Sequence, residues 1–235
     1  MKIAVVTGAN RGLGKGTALE LADRGYHVIL VGRNEKELHL VEKEIKSEGQ
    51  SAEIFVSDVT DEGRIRDLAK HIEKKHGHLD LLVNNAGVFL DGEFGSGPTF
   101  KTVPPETILE TFETNVLGPY CMIQNLIPLI EKSKSGRIVN VSSGMGGLTE
   151  MEGGYPGYRI SKTALNALTR NMSKDLSGTK IRVNSVCPGW VKTDMGGSNA
   201  TRQIAEGVQS ILWAADVPDS GPTGGYFRDG KAIAW

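Results

Sequence analysis

Short unbroken apolar runs alternate with longer amphipathic stretches along the whole chain. Ile3–Thr7 is apolar throughout and predicts a buried strand. Gly14–Arg24 carries Leu19 and Leu21 among small and charged residues and predicts a helix. His27–Val31 predicts a second strand, and Glu35–Glu48 a charged helix with Leu38, Val41 and Ile45 at helical spacing. Ala52–Val56 reads as a third strand, Gly63–Lys75 as a helix through Ile65, Leu68 and Ile72, and Leu79–Val83 as a fourth strand. Glu106–Lys132 predicts one long helical stretch with Pro119 and Pro128 as candidate kinks or breaks. Arg137–Val141 is a fifth strand, Tyr158–Leu176 a helix, and Ile181–Val186 a sixth strand. A helix around Thr201–Ala215 and a short strand at Gly225–Phe227 close the pattern.

Strand, helix, strand at this rhythm implies a parallel sheet covered on both faces. Right-handed crossovers then favour a doubly wound, Rossmann-type α/β fold of about seven strands. No linker, repeat or low-complexity segment interrupts it, so residues 1–235 are expected to form one domain. Ligands of such sheets bind beyond the carboxyl ends of the strands.

Composition narrows the classes. A net charge of −1 argues against a protein driven by phosphate neutralisation, so no nucleic acid is expected. No apolar run approaches the ~20 residues of a membrane span. Met1–Thr7 leads straight into the first strand and lacks the long apolar region of a signal peptide. Cys121 and Cys187 give neither a disulfide framework nor zinc spacing and read as two buried free thiols. A reducing, cytoplasmic setting suits them.

The chemistry clusters at predicted strand ends. Gly8, Gly12 and Gly14 follow the first strand and open the first helix. Glycines there let a backbone approach a pyrophosphate, whose charge the helix N-terminus attracts. Such turns also arise for purely steric reasons. The second strand ends in Val31-Gly32-Arg33, where an acid would bind an adenosine ribose. Arg33 and Arg11 are instead either a pair favouring a ribose 2′-phosphate or two solvated arginines. Asp58, followed by Val59, either accepts from an adenine amino group or caps the next turn. Asn84-Asn-Ala-Gly87 is either a surface for a flat ligand or an ordinary polar turn. Val139-Asn-Val-Ser-Ser143 brings hydroxyls to the sheet edge. Tyr158 and Lys162 lie one helical turn apart, where a cation would lower the phenol's ordinary value of about 10 and tune it for proton transfer. His27, His39, His71, His76 and His78 lie apart from these segments; the last three, in the third helix and its exit, read as solvated, and no metal cluster is expected.

In this order the motifs resemble the short-chain dehydrogenase/reductases, in their compact branch, over nearly the whole chain. Thr7-Gly8-x-x-x-Gly12-x-Gly14, Asn84-Asn-Ala-Gly87, Asn115, Ser143, Tyr158-x-x-x-Lys162 and Pro188-Gly189 carry the likeness. The resemblance implies that Tyr158 is the general acid, that Lys162 binds the nicotinamide ribose and keeps the phenol acidic, and that Ser143 orients the carbonyl. It implies that Asn115 supports a proton-relaying water. NADP(H) is the implied cofactor, on Gly8, Asn10, Arg11, Gly12, Leu13 and Gly14 of the first turn. Arg33, Asp58 and Val59 then flank the adenosine, with Asn85, Ala86 and Gly87 beside it. Pro188, Gly189, Val191 and Thr193 line the nicotinamide.

Gly189-Trp-Val-Lys-Thr-Asp-Met195 and Ala205-Glu-Gly207 are most similar to NADPH-dependent carbonyl reductases. Monomeric animal members have a long insertion before the tyrosine. Here 158 − 143 leaves a gap of 15, so their subunit state does not transfer. A small-molecule carbonyl substrate reduced to an alcohol is therefore expected. Alternatives are a 3-oxoacyl-carrier-protein reductase and a non-catalytic NADP-sensing module. A homodimer or homotetramer is expected through the Tyr158 helix, whose far side carries Ile160, Ala164, Ala167 and Leu168. The loops Phe89–Pro105 and Asp194–Thr201 are expected to shape the pocket, the second as a candidate lid. Phe89, Leu90, Phe100, Val103, Trp190 and Met195 favour an apolar or aromatic substrate, because Lys192 is the sole cation between Pro188 and Ala200.

Overall fold

The computed structural model describes residues 1–92, 95 and 97–235. In chain order it runs β1 (Lys2–Thr7), α1 (Gly12–Asp23), β2 (Tyr26–Gly32), α2 (Glu35–Ser47), β3 (Ser51–Val56), α3 (Glu62–Lys75) and β4 (Leu81–Asn84). There follow α4 (Pro105–Phe112), α5 (Gly118–Ile130), β5 (Arg137–Val141), α6 (Pro156–Asp175), β6 (Arg182–Val186), α7 (Ile204–Ala215), β7 (Tyr226–Arg228) and β8 (Lys231–Ala232). One sheet has the order β3-β2-β1-β4-β5-β6-β7-β8. Every pairing is parallel except β7 with β8. The strand order reverses between β1 and β4, which places a crevice beyond their carboxyl ends.

Side chains alternate along each strand and feed two separate cores. Ala4 and Val6 of β1, with Val28 and Leu30 of β2, pack against Leu21 of α1, Val41 of α2 and Ile211 of α7. Ile3 and Val5, with Ile29 and Val31, pack against Leu68 of α3 and Leu126 of α5. Burial on both faces explains why these strands read as continuous apolar runs rather than alternating ones.

Three expectations need correction. The stretch from 106 to 132 is not one helix: a π-helical turn at Glu113–Leu117 separates α4 from α5. Pro119 starts α5 instead of breaking it, because its missing N–H falls in a first turn that needs none. Pro128 lies inside α5 without ending it. The sheet also has an eighth strand, β8, whose two residues are too few to leave a periodic signal. Cys187 is buried as expected, but Cys121 is only half-buried.

Candidate active site

A cleft of about 1130 Å³ opens at the carboxyl ends of the central strands. The glycine turn forms one wall. Gly8 has φ +63°, and a Cβ there would come within 3.0 Å of Ala86 Cα. Gly14 is turned inward: a Cβ on it would sit 2.1 Å from the Gly8 oxygen. Gly14 therefore shapes the turn from beneath and does not line the cleft, whereas Gly8, Asn10, Arg11, Gly12 and Leu13 do. Thr7 Oγ1 accepts hydrogen bonds from the amides of Asn85 and Ala86 at 3.0 Å each, and Asn85 Nδ2 donates to the Thr7 oxygen at 2.8 Å. These bonds hold Asn85, Ala86 and Gly87 against the turn along the cleft.

The outer corner holds more acid than the sequence suggested. Arg33 Nη1 lies 3.3 Å from Asp58 Oδ2, and Arg11 is ion-paired with Asp194. Glu37, on α2, lines the same corner and accepts from Asn10 Nδ2 at 2.6 Å. Both arginines are thus partnered, though largely exposed. Asp58 Oδ1 accepts from the Thr60 amide and hydroxyl at 3.0 and 2.9 Å, so it caps that turn. Partial burial raises its carboxyl, but Thr60 and Arg33 together hold it below the usual range. Val59, behind it, also lines the cleft.

The inner end brings Ser143, Tyr158 and Lys162 together. Tyr158 and Lys162 are buried on the inner stripe of α6, with Leu165 and Thr169. Lys162 Nζ donates to the Val141 oxygen at 2.9 Å and lies 5.6 Å from the centre of the Tyr158 ring. Burial pushes the phenol up to about 12, with a Ser143 hydrogen bond pulling the other way. Burial likewise pushes the Lys162 ammonium down to about 8. The expectation that the cation lowers the phenol is corrected: desolvation of both groups dominates.

Asn115 sits in the π-helical turn, fully buried and outside the cleft. Its Oδ1 accepts from the Val88 amide at 2.8 Å, and its Nδ2 donates to the Val88 oxygen and to Ser161 Oγ. A Cβ at Gly87 would meet Asn115 Oδ1 at 3.1 Å and Lys162 Nζ at 3.5 Å, so both lie beneath Gly87. Widened helical turns of this kind often occur at functional sites.

Pro188, Gly189, Val191 and Thr193 line the far wall. Backbone bonds between Lys192 and Arg202, and between Arg202 and Trp190, pin the base of the loop that follows. Of the six apolar residues expected in the pocket, Phe89, Trp190 and Met195 line the cleft. Phe100 points to solvent at 81% exposure and Val103 is buried. Residues 93, 94 and 96 of the Phe89–Pro105 loop lie outside the described residues.

Several groups had not been singled out. Arg228 of β7 reaches the cleft and holds Cys187 Sγ through Nε at 3.3 Å and Nη2 at 3.1 Å. Lys192 is thus not the only cation beside the far wall, since Arg202 and Arg228 also line the cleft. Asp91 accepts from the amides of Gly157 and Tyr158. His76 also departs from a solvated reading: among the described residues, His27, Glu53 and His76 bring ligand atoms within 4.8 Å of one another. That group lies at the other end of the sheet.

Residues 2–204 match the short chain dehydrogenase family. Among similar proteins, (−)-isopiperitenone reductase of Mentha piperita is 32% identical, covering 99% of this chain and 98% of that protein. Carbonyl reductase [NADPH] 1 of Bos taurus is 30% identical over 99% of this chain and 98% of its own. The crystal structure of NADPH-bound carbonyl reductase from chicken fatty liver superposes with a TM-score of 0.89 at 27% identity, covering 100% of both chains. The chain belongs to the short-chain dehydrogenase/reductase family, a family of oxidoreductases that use NAD(P), and is similar to carbonyl reductases.

Proposed function

We propose that this chain reduces a ketone or aldehyde to the alcohol with NADPH, in the cytoplasm, with residues 1–235 acting as one catalytic unit. The observation that carries the reading is the convergence of buried Tyr158 and Lys162 with half-buried Ser143 at the inner end of the cleft. The cleft fits a dinucleotide. The first turn of α1 holds no acid, and Arg11 caps it without a side-chain bond, which leaves its amides for a pyrophosphate. Arg11 and Arg33 would take the 2′-phosphate, exchanging Asp194 and Asp58 for it.

NADPH, when bound, supplies the hydride that reaches the carbonyl carbon. Tyr158, kept protonated by burial, donates its proton to the carbonyl oxygen. The Ser143 oxygen accepts the Met145 amide at 3.2 Å, which leaves its O–H to orient that same carbonyl. Lys162, anchored on the Val141 oxygen, favours the phenolate as it forms. Asn115 acts by position, tying the β4 exit to α6 through Val88 and Ser161.

Phe89, Met145, Trp190 and Met195 support a substrate with an apolar or aromatic body. Arg228 adds a donor for a second oxygen. A homodimer or homotetramer is supported by exposed Leu109 on α4, Tyr120 on α5, and Ile160 and Ala167 on α6.

The test is oxidation of NADPH by the purified chain against aldehydes, aryl ketones and 3-oxoacyl thioesters. Turnover of simple carbonyls supports the reading. Binding of NADPH without turnover of any carbonyl overturns it in favour of a sensing module.

A further inference from the structure

His27 opens β2, and the register places it beside Ser51 of β3. Strand alternation puts His27 on the face that carries Ile29 and Val31, and Glu53 on the face that carries Phe55. Both faces look toward α3. Its inner stripe of Ile65, Leu68 and Ile72 continues through His71 and past the helix end to His76. Three imidazoles therefore converge on one carboxylate. Nε2 of His76, His27 and His71 lies 2.8, 3.2 and 3.3 Å from the same Glu53 oxygen, Oε1.

That arrangement over-fills the oxygen. A carboxylate oxygen has two lone-pair directions, so it cannot accept well from three ring nitrogens. His27 Nε2 and His71 Nε2 are accordingly buried without a hydrogen bond. The His27 and His76 side chains are only 8% and 7% exposed, which makes an unmet nitrogen costly. His27 Nδ1 lies 2.6 Å from Ser51 Oγ. Donating there leaves Nε2 as a bare lone pair, the form and outer-shell contact of a metal-bound imidazole.

We propose that His27, His76 and Glu53, with His71 at the edge, form a binding site for a divalent first-row transition ion of the zinc type, at the opposite end of the strands from the catalytic cleft. Tetrahedral ligands at about 2.0–2.1 Å stand about 3.3 Å from one another. The separation of His27 from Oε1 matches that edge, His76 needs to open by about half an ångström, and the ligand atoms of His27, His76 and Glu53 all lie within 4.8 Å of one another. Two imidazoles and a carboxylate, with a third imidazole nearby, suit zinc over calcium or magnesium. The ion enters past His71 and Lys75, which are 37% and 51% exposed. Lys75 is the one opposing charge among the groups recorded on Glu53; it pairs with the other oxygen, Oε2. Bound metal would clip β2, β3 and α3 together and leave the cleft untouched.

The test is titration of the tag-free, metal-stripped full chain with Zn²⁺ against a chromogenic chelator, with thermal unfolding in parallel. One equivalent binds and raises Tm. His76→Ala weakens binding by on the order of 100-fold and abolishes the Tm rise. His71→Ala, on the open side of helix α3, keeps the fold and weakens binding roughly tenfold. Lys75→Met tightens binding, because it removes the opposing ammonium. No binding by the wild-type chain, or equal affinity in wild type, His71→Ala and His76→Ala, overturns the site and leaves only adventitious histidine contacts at the surface.

Discussion

Asp91 holds the N-terminus of the helix that carries Tyr158: its Oδ2 accepts the Tyr158 amide at 2.8 Å and its Oδ1 the Gly157 amide at 2.7 Å. The residue at the formal cap, Tyr155, is in the left-handed region at φ 51° and offers no side-chain cap. A carboxylate from the β4 exit, distant in sequence, therefore supplies the cap and meets the positive helix end. Asp91→Ala should cost about 2 kcal/mol of stability and lower kcat, while Asp91→Asn, which keeps one acceptor, should recover much of the stability. Unfolding curves of both variants check this. An unchanged midpoint in Asp91→Ala would contradict it.

Lys162 separates stability from catalysis. Its folded value of about 8 lies below the ordinary 10.5, so burial opposes the charged form. Below pH 8 the lysine is charged both folded and unfolded, and folding bears the whole desolvation cost. The cost fades as pH rises from about 8 to 10.5. Lys162→Met should therefore raise stability at pH 7, by up to about 3 kcal/mol, while abolishing turnover. In the wild type, carbonyl reduction should decline above about pH 8 as the ammonium is lost. A Lys162→Met chain that is less stable at pH 7 sinks the burial argument.

Cofactor choice rests on the outer corner. Arg33→Ala should reduce the preference for NADPH over NADH by roughly 10- to 100-fold, the worth of one charge-assisted contact. Arg11 and Arg33 would attract that phosphate from largely exposed positions, so the preference should also weaken in high salt. Titration of both cofactors reads this directly. Equal affinities in the wild-type chain would be incompatible with the NADPH assignment.

Arg228 should set how far the pocket accepts a second polar group. Arg228→Met should favour purely apolar aryl ketones and disfavour 2-oxo acids or diketones by roughly tenfold in kcat/KM. The same relative activities across the series would show that Arg228 serves only Cys187 and not the substrate.

The order of strands and helices was legible because both sheet faces are buried, which leaves apolar runs and helical stripes in the sequence. Gly8, Ser143, Tyr158 and Lys162 were legible because local spacing brings them to strand ends or one helix face. What escaped depends on distant chain. Asp91 caps a helix 66 residues later, and Arg228 enters from β7 to meet Cys187, 41 residues earlier. The partners of Arg11 and Arg33 come from other segments, so their charges looked unopposed. The shift of Tyr158 reversed for a related reason, since spacing reveals a neighbouring cation but not the depth of burial. His27 and Glu53 did leave a trace, as polar residues in step with apolar stripes on β2 and β3, and only the fold shows that His71 of α3 and His76 at its end meet them.

Proton donation by Tyr158 is the central claim, and Tyr158→Phe measured at once for turnover and NADPH binding tests it most directly. The account predicts a loss of kcat of ~10²–10⁴-fold with NADPH affinity nearly unchanged, because the ring and Lys162 stay in place. Retention of more than about a tenth of wild-type turnover would contradict a general-acid role of that size.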